Sequence, residues 1–218
     1  TGIRPTKIPM KLLQEGWKNT QIAQYMRETY GVSNEKTALA ITIANREKAL
    51  LQDLDYENGY SLYVGIPFCP SICLYCSFGS HPLERWTKRV DEYLDALCKE
   101  LTFIREEMGE RKLTTVYIGG GTPTTLEPEQ LRRLLSHIQT TFDFTWVKEY
   151  TVEAGRPDSI TREKLQVMKE FPVTRISVNP QTMNQKTLDV IDERLLDLAL
   201  AAQERRSEPQ HERGAIAA

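Results

Sequence analysis

Long apolar runs are missing from this 218-residue chain. Its uninterrupted hydrophobic stretches last only a few residues, where a bilayer-spanning helix needs roughly 20, so no transmembrane helix is expected. Neither sign of charge is in excess: 28 Lys and Arg stand against 30 Asp and Glu. That balance offers no basic field for nucleic acid and no acidic tail. The opening Thr1-Gly2-Ile3-Arg4-Pro5 has no apolar core of a secretory leader, and without an initiator Met a start inside a longer chain is expected. Cysteine is scarce, with four in all, and its placement is not that of disulfide staples. Cys69, Cys73 and Cys76 crowd one short segment, while Cys98 falls in a helical pattern and reads as inert core. A reducing, cytoplasmic setting is expected, where clustered cysteines hold metal or do redox chemistry.

What is present begins with helices. Residues 7 to about 55 read as helical: Asn19 and Thr20 cap a short helix ended by Gly31, and Ser33 opens a longer one with Leu39, Ile43, Leu50 and Leu54 along one face. From Tyr60 the pattern becomes strand, loop, helix, repeated. Strands are predicted at 61–66, 114–118, 148–152 and 174–178, with helices at 87–108, 128–142, 161–169 and 184–205. This alternation predicts an α/β fold with a parallel sheet and right-handed crossovers. Four βα units are too few to close an eight-stranded barrel, which leaves an open sheet or part of a larger barrel. The expected organisation is a helical region at 1–58, a βα core at 59–191 and an atypical charged tail at 192–218.

The cysteines have the spacing C-x3-C-x2-C directly after the first strand. Three thiolates on one loop grip three corners of a [4Fe-4S] cluster and leave the fourth iron open to a small molecule. A Cys3His zinc site with His81, and three buried thiols without metal, are the rival readings; the cluster is preferred because zinc knuckles favour other spacings and Pro70 and Ser71 do not resemble core. At the second strand end lies Gly119-Gly120-Gly121-Thr122-Pro123-Thr124. Glycines there let backbone N–H and C=O groups approach a ligand. The run is neither a P-loop nor a Rossmann fingerprint, since no Gly-Lys-Ser/Thr follows and Pro123 breaks the register. Glu153 ends the third strand, with a carboxylate suited to ribose hydroxyls or an ammonium group. The fourth ends in Asn179-Pro180-Gln181, two uncharged amides for a polar ligand. Taken singly each is an ordinary loop residue; together they fall at one rim of a parallel sheet, where active sites are built.

The cysteine motif, the string from Leu62 to Cys69 and the run from Gly119 to Thr124 resemble the radical S-adenosylmethionine superfamily. Within it they resemble the oxygen-independent coproporphyrinogen III oxidase group, and most closely its coproporphyrinogen dehydrogenase branch in Gram-positive bacteria. That resemblance implies a partial (β/α) barrel of about four βα units behind a small helical region. It implies a [4Fe-4S] cluster on Cys69, Cys73 and Cys76, and S-adenosylmethionine as second cofactor. Gly119, Gly120 and Thr122 match the turn that meets the methionyl end, Glu153 and Gln181 match further cofactor contacts, and Tyr63 matches the aromatic residue leading into the cysteine loop. The implied chemistry is cofactor cleavage to a 5′-deoxyadenosyl radical, then oxidative decarboxylation of coproporphyrinogen III propionates to vinyl groups in heme biosynthesis. The implied partners are a tetrapyrrole substrate and an electron donor such as flavodoxin or ferredoxin. Arg156, which matches no motif of the group, is expected on its charge alone to face a substrate propionate. The sequence departs from the group's pattern at Gly65, where many members have histidine, and at Phe78, where the oxidases carry a fourth cysteine and heme-chaperone relatives do not. After Ile191 it reads Asp192-Glu193-Arg194 in place of a glycine-arginine-histidine segment, and a fragment or a diverted C-terminus is expected.

Overall fold

A computed structural model describes residues 5–52, 54, 55, 58–73 and 75–191. The chain divides into two units, one up to residue 57 and one from residue 58. In the first, helices α1 (Lys7–Gln14), α2 (Asn19–Tyr30) and α3 (Asn34–Leu51) enclose Leu12, Leu13, Ile22, Met26, Ala40, Ile41 and Ala44. Lys18, not Asn19, is the N-cap of α2, and Gly31 ends it in the left-handed conformation that glycine adopts without strain. Ser33 caps α3, its Oγ accepting from Lys36 N at 3.4 Å. The expected leucine face of α3 is not the buried one. Thr37, Ala40, Ile41 and Ala44 face the core of this unit, while Leu39 and Leu50 are exposed, Leu50 by 75%. Small residues win that face because they let the helices approach closely.

The second unit is a sheet covered by helices on one face. Strands β1 (Tyr60–Ile66), β4 (Leu113–Gly120), β5 (Glu149–Ala154) and β6 (Arg175–Val178) run parallel in that order. A two-residue parallel pair, β2 (Phe68–Cys69) with β3 (His81–Pro82), stands apart from it. Helices α4 (Leu83–Trp86), α5 (Val90–Met108), α6 (Pro128–Thr141), α7 (Arg162–Lys169) and α8 (Gln185–Ile191) complete the described chain. The part of the expected helix beyond Ile191, and the tail, lie outside the described residues. Among described helices none is long and apolar enough to cross a membrane.

Local chemistry sets the helix ends. Glu127 and Gln130 form a capping box around Pro128 at the first helical position of α6, and Thr161 caps α7 by accepting from Lys164 N. Val90, Leu94, Leu97 and Leu101 of α5, and Leu131, Leu134, Leu135 and Ile138 of α6, repeat at the helical period and are buried. They join one core with Leu62, Val64 and Ile66 of β1, Val116 and Ile118 of β4, and Tyr150 and Val152 of β5.

Side chains alternate across a strand, so the residues between these point the other way. Ser61, Tyr63, Thr115, Tyr117 and Glu153 occupy that second face, and Thr115 Oγ1 donates to Ser61 Oγ at 2.7 Å. Parallel sheets ordinarily bury both faces in apolar residues; this one keeps a polar face, as a sheet does when that side is a working surface. Leu94→Ala should therefore lower the unfolding free energy by about 2–5 kcal/mol. Ser61→Ala on the polar face should change it by no more than ~0.5 kcal/mol, both read from urea denaturation.

Candidate cofactor site

The site starts where β1 and β4 run out together. Their register sets Tyr63 beside Tyr117, Gly65 beside Gly119 and Ile66 beside Gly120. Strand β4 is longer than the predicted 114–118, so Gly119 and Gly120 belong to the ladder itself. Beyond it, Gly121 N donates to Ile66 O at 2.7 Å and Thr122 N to Phe68 O at 2.8 Å. These bonds press the glycine turn against the chain that enters the cysteine loop. A β-carbon on Gly121 would lie 2.6 Å from Phe68 O, 2.9 Å from Ile66 O and 3.0 Å from Cys69 Sγ. Gly120 has φ +107°, and a β-carbon there would meet Ile66 N and O at 3.0 Å. The nearest obstacles at both positions are main-chain atoms, which cannot turn away.

The cysteine loop is closed at its base by the β2–β3 pair and by His81 N donating to Pro67 O at 2.7 Å. Cys69, Cys73 and Cys76 are half-buried and free of disulfides. Thr122 Oγ1 sits 3.6 Å from Cys69 Sγ, and Cys76 N donates to Cys73 O at 2.9 Å. Among the described residues no three His, Cys, Asp or Glu side chains converge as the ligands of one metal ion do. A cluster asks for something different, since each thiolate takes its own iron. The His81 ring packs on the Trp86 ring, with centroids 5.1 Å apart. Cys98 stands on α5, half-buried, its thiol pKa raised by burial. The donor set on the loop, three free thiols beside a side-chain-free turn, fits an iron–sulfur group.

A second cluster occupies the polar face. The Tyr63 ring, 62% exposed, stacks on Tyr117 with centroids 5.6 Å apart and planes 11° from parallel. Tyr117 donates its hydroxyl to Glu153 Oε1. A β-carbon at Gly119 would meet Tyr117 Cε1 at 2.7 Å, and Glu153 Oε2 and the Tyr63 hydroxyl at 3.0 Å each. The expected residues Tyr63, Gly119 and Glu153 thus meet directly, and Gly120 and Thr122 follow on the turn. Tyr117, which periodicity marks only as a strand residue, joins them.

Gln181 is placed differently. Its backbone has φ +64°, a left-handed conformation costing ~1 kcal/mol for a side chain of this kind, and its N–H donates to Asn179 Oδ1 at 3.0 Å. Its Oε1 accepts from the Tyr75 hydroxyl at 2.5 Å, so it meets the cysteine loop. Burial, and then the neighbouring Cys73 and Cys76, raise the Tyr75 pKa and keep that phenol a donor.

Arg156 corrects an expectation. Its side chain is buried, paired with Asp158 and turned onto the cysteine loop at Ser71 and Cys73. A guanidinium held in this way does not wait for a substrate propionate.

Residues 63–206 match the radical SAM superfamily. The chain belongs to that superfamily. Membership implies an iron–sulfur cluster and S-adenosylmethionine. The chain is 40% identical to the oxygen-independent coproporphyrinogen-III oxidase-like protein HemZ of Bacillus subtilis, over 88% of its own length and 39% of that protein's. It is 40% identical to the heme chaperone HemW of the same organism, over 60% of this chain and 34% of the other. The coproporphyrinogen III oxidase structure HemN from Escherichia coli, a radical SAM enzyme, superposes with a TM-score of 0.59 at 28% identity, over 73% of this chain and 37% of that one. The radical SAM core described here is accordingly a partial βα barrel, and the chain spans between a third and two fifths of the length of these relatives.

The Tyr117 phenol is pushed up to about 12, first by burial and then by its bond to Glu153. A raised pKa means that the bonded, protonated form contributes stability below the ordinary tyrosine value of about 10. That contribution is lost as pH rises through about 12. The stability difference between the wild type and Tyr117→Phe should therefore stay constant up to pH about 10 and shrink above it, as measured by urea unfolding at each pH.

Proposed function

We propose that Cys69, Cys73 and Cys76 hold a [4Fe-4S] cluster whose fourth iron takes S-adenosylmethionine, and that the protein serves oxygen-independent oxidative decarboxylation of coproporphyrinogen III propionates in heme biosynthesis. The observation that carries this reading is the backbone contact between the glycine turn and the cysteine loop, Gly121 N on Ile66 O and Thr122 N on Phe68 O. It brings a side-chain-free ledge against the Cys69 sulfur, the first of the three thiols on the loop. Held by Cys69, Cys73 and Cys76, the cluster would supply the one-electron reduction that S-adenosylmethionine needs to serve as a radical source.

The chain's own residues bind and orient. Gly119 and Gly120 present backbone groups where a side chain would clash with Tyr63, Tyr117 or Ile66. Glu153, with Oε1 fixed by Tyr117, turns Oε2 toward Gly119 and offers it to an ammonium or ribose hydroxyl. Gln181, with its oxygen taken by Tyr75, offers its amide N–H group. The names of HemZ and of the Escherichia coli oxidase support coproporphyrinogen III as substrate. A one-electron donor such as flavodoxin or ferredoxin, and a cytoplasmic setting, complete the proposal.

A second reading is a tetrapyrrole carrier that keeps the cluster without decarboxylating. It is supported by the 40% identity to the heme chaperone HemW and by Phe78, 75% exposed at the position where the oxidases are expected to carry a fourth cysteine. Stable heme binding without vinyl product would favour the carrier; vinyl product from coproporphyrinogen III would favour the enzyme.

Anaerobic iron–sulfide reconstitution followed by electron paramagnetic resonance of the reduced protein tests the site itself. A cubane signal that shifts on adding S-adenosylmethionine is expected, and Cys76→Ala should abolish it. Gly121→Ala should lose most of its iron, because the added carbon meets backbone oxygens and Cys69 Sγ. Stoichiometric zinc with no iron or sulfide in the wild type would sink the proposal.

A further inference from the structure

We propose that Arg156 is a positioning residue that, through the Cys73 sulfur, raises the reduction potential of the group the cysteines hold. The inference rests on the reading of Cys69, Cys73 and Cys76 as iron–sulfur ligands. Arg156 is only 4% exposed, and a buried cation survives only when paired and hydrogen-bonded. Asp158 grips it in a two-point fork, accepting from Nε at 3.1 Å and Nη2 at 2.7 Å. This fork fixes the plane of the guanidinium. The remaining nitrogen, Nη1, then faces the loop, 2.9 Å from Ser71 Oγ and 3.7 Å from Cys73 Sγ.

The segment that carries Arg156 is held from behind. Ser159 N and Oγ both donate to Arg156 O, at 3.0 and 2.7 Å. Ser159 Oγ also lies 2.5 Å from Thr124 Oγ1. Lys164 of α7, itself buried, donates Nζ to Thr124 O at 2.7 Å and to Ser159 O at 3.2 Å. Buried hydrogen bonds thus run from α7, past the turn that follows Gly121, to the loop. A satisfied buried network of this kind fixes geometry. It aims a cationic donor at the Cys73 sulfur. Reduction adds one electron, and so one negative charge, to the cluster without making or breaking a bond. A donor on a ligand sulfur stabilises that added charge and raises the potential.

The test is a potentiometric titration of the reconstituted full chain with dithionite as one-electron reductant, read by electron paramagnetic resonance, with iron and sulfide per chain measured alongside. Arg156→Lys keeps the charge and loses the fork. A double variant, Arg156→Gln with Asp158→Asn, replaces the buried ion pair by a neutral amide pair, so net charge is unchanged while the cationic donor on the Cys73 side is lost together with its counter-charge. Both should shift the reduction equilibrium about tenfold against the reduced state, ~59 mV for one electron, while iron content stays near the wild-type value. If Arg156→Lys does not fold, the double variant decides alone. An unchanged midpoint in a cluster-bearing variant, or lost iron with an unchanged midpoint in what remains, overturns the proposal and leaves Arg156 a structural prop. A wild type that takes up no iron and sulfide overturns the underlying cluster reading instead, and shows itself as no signal in any of the proteins.

Discussion

The site depends on a close approach of two backbones, in which Gly121 and Thr122 give their N–H groups to Ile66 and Phe68 just past the paired ends of β1 and β4. Hydrogen bonds of 2.7 and 2.8 Å between main-chain atoms leave no room for a β-carbon at Gly121. At Gly120 the positive φ adds a conformational reason for glycine to the steric one. The position of Cys69 is therefore set by the main chain of the sheet, with Thr122 Oγ1 following onto its sulfur. Side chains tune the arrangement afterwards.

The same economy governs the sheet. One face buries Leu62, Val64, Val116, Ile118 and Val152 against α5, α6 and α7, and supplies the hydrophobic stabilisation of the unit. The other face is then free to carry Tyr63, Tyr117 and Glu153, which would be costly inside a core. Tyr117 and Glu153 reduce their own cost by bonding to each other, and the flat Tyr63–Tyr117 stack covers them. Folding and binding are divided between the two sides of the same strands.

How far this was legible from residue order follows from the range of each signal. The cysteine spacing and the glycine run are local, and both stand at the sheet rim as expected. Strand positions and the Ser33 start of α3 are equally short-range, and they too are read directly. Tyr117 could not, because its meeting with Tyr63 and Glu153 comes from the register of three strands that are distant in the chain. Tyr75 sits inside the cysteine motif, but its partner Gln181 is 106 residues away. Lys164 looks like any surface lysine of an amphipathic helix until the loops that bury it are present. The direction of the Arg156 guanidinium is not readable from residue order; Asp158, two residues on, is the local sign of its internal pair. The α3 leucines misled for the opposite reason, since a helical stripe shows which residues share a face but not which face is buried.

These long-range contacts have one destination. The segment from Pro70 to Ser80 has no described helix or strand of its own, and Ser71, Ile72, Tyr75 and Phe78 on it are exposed, so little local burial can hold its shape. Each neighbouring strand end reaches it by a different chemistry: β4 by main-chain hydrogen bonds around Cys69, the segment after β5 by the buried guanidinium of Arg156 on Ser71 and Cys73, and the segment after β6 by the Gln181 amide on Tyr75. Main-chain bonds are short and rigid, the ionic fork carries charge, and the phenol–amide bond is exposed and the easiest to exchange for a ligand. A loop tethered in these ways keeps its sulfurs in place on the β4 and β5 sides. The exchangeable phenol–amide tether lies on the β6 side, at Gln181, an amide already proposed to meet the cofactor. The strain stored at Gln181, φ +64°, is then the cost of holding that amide against the loop.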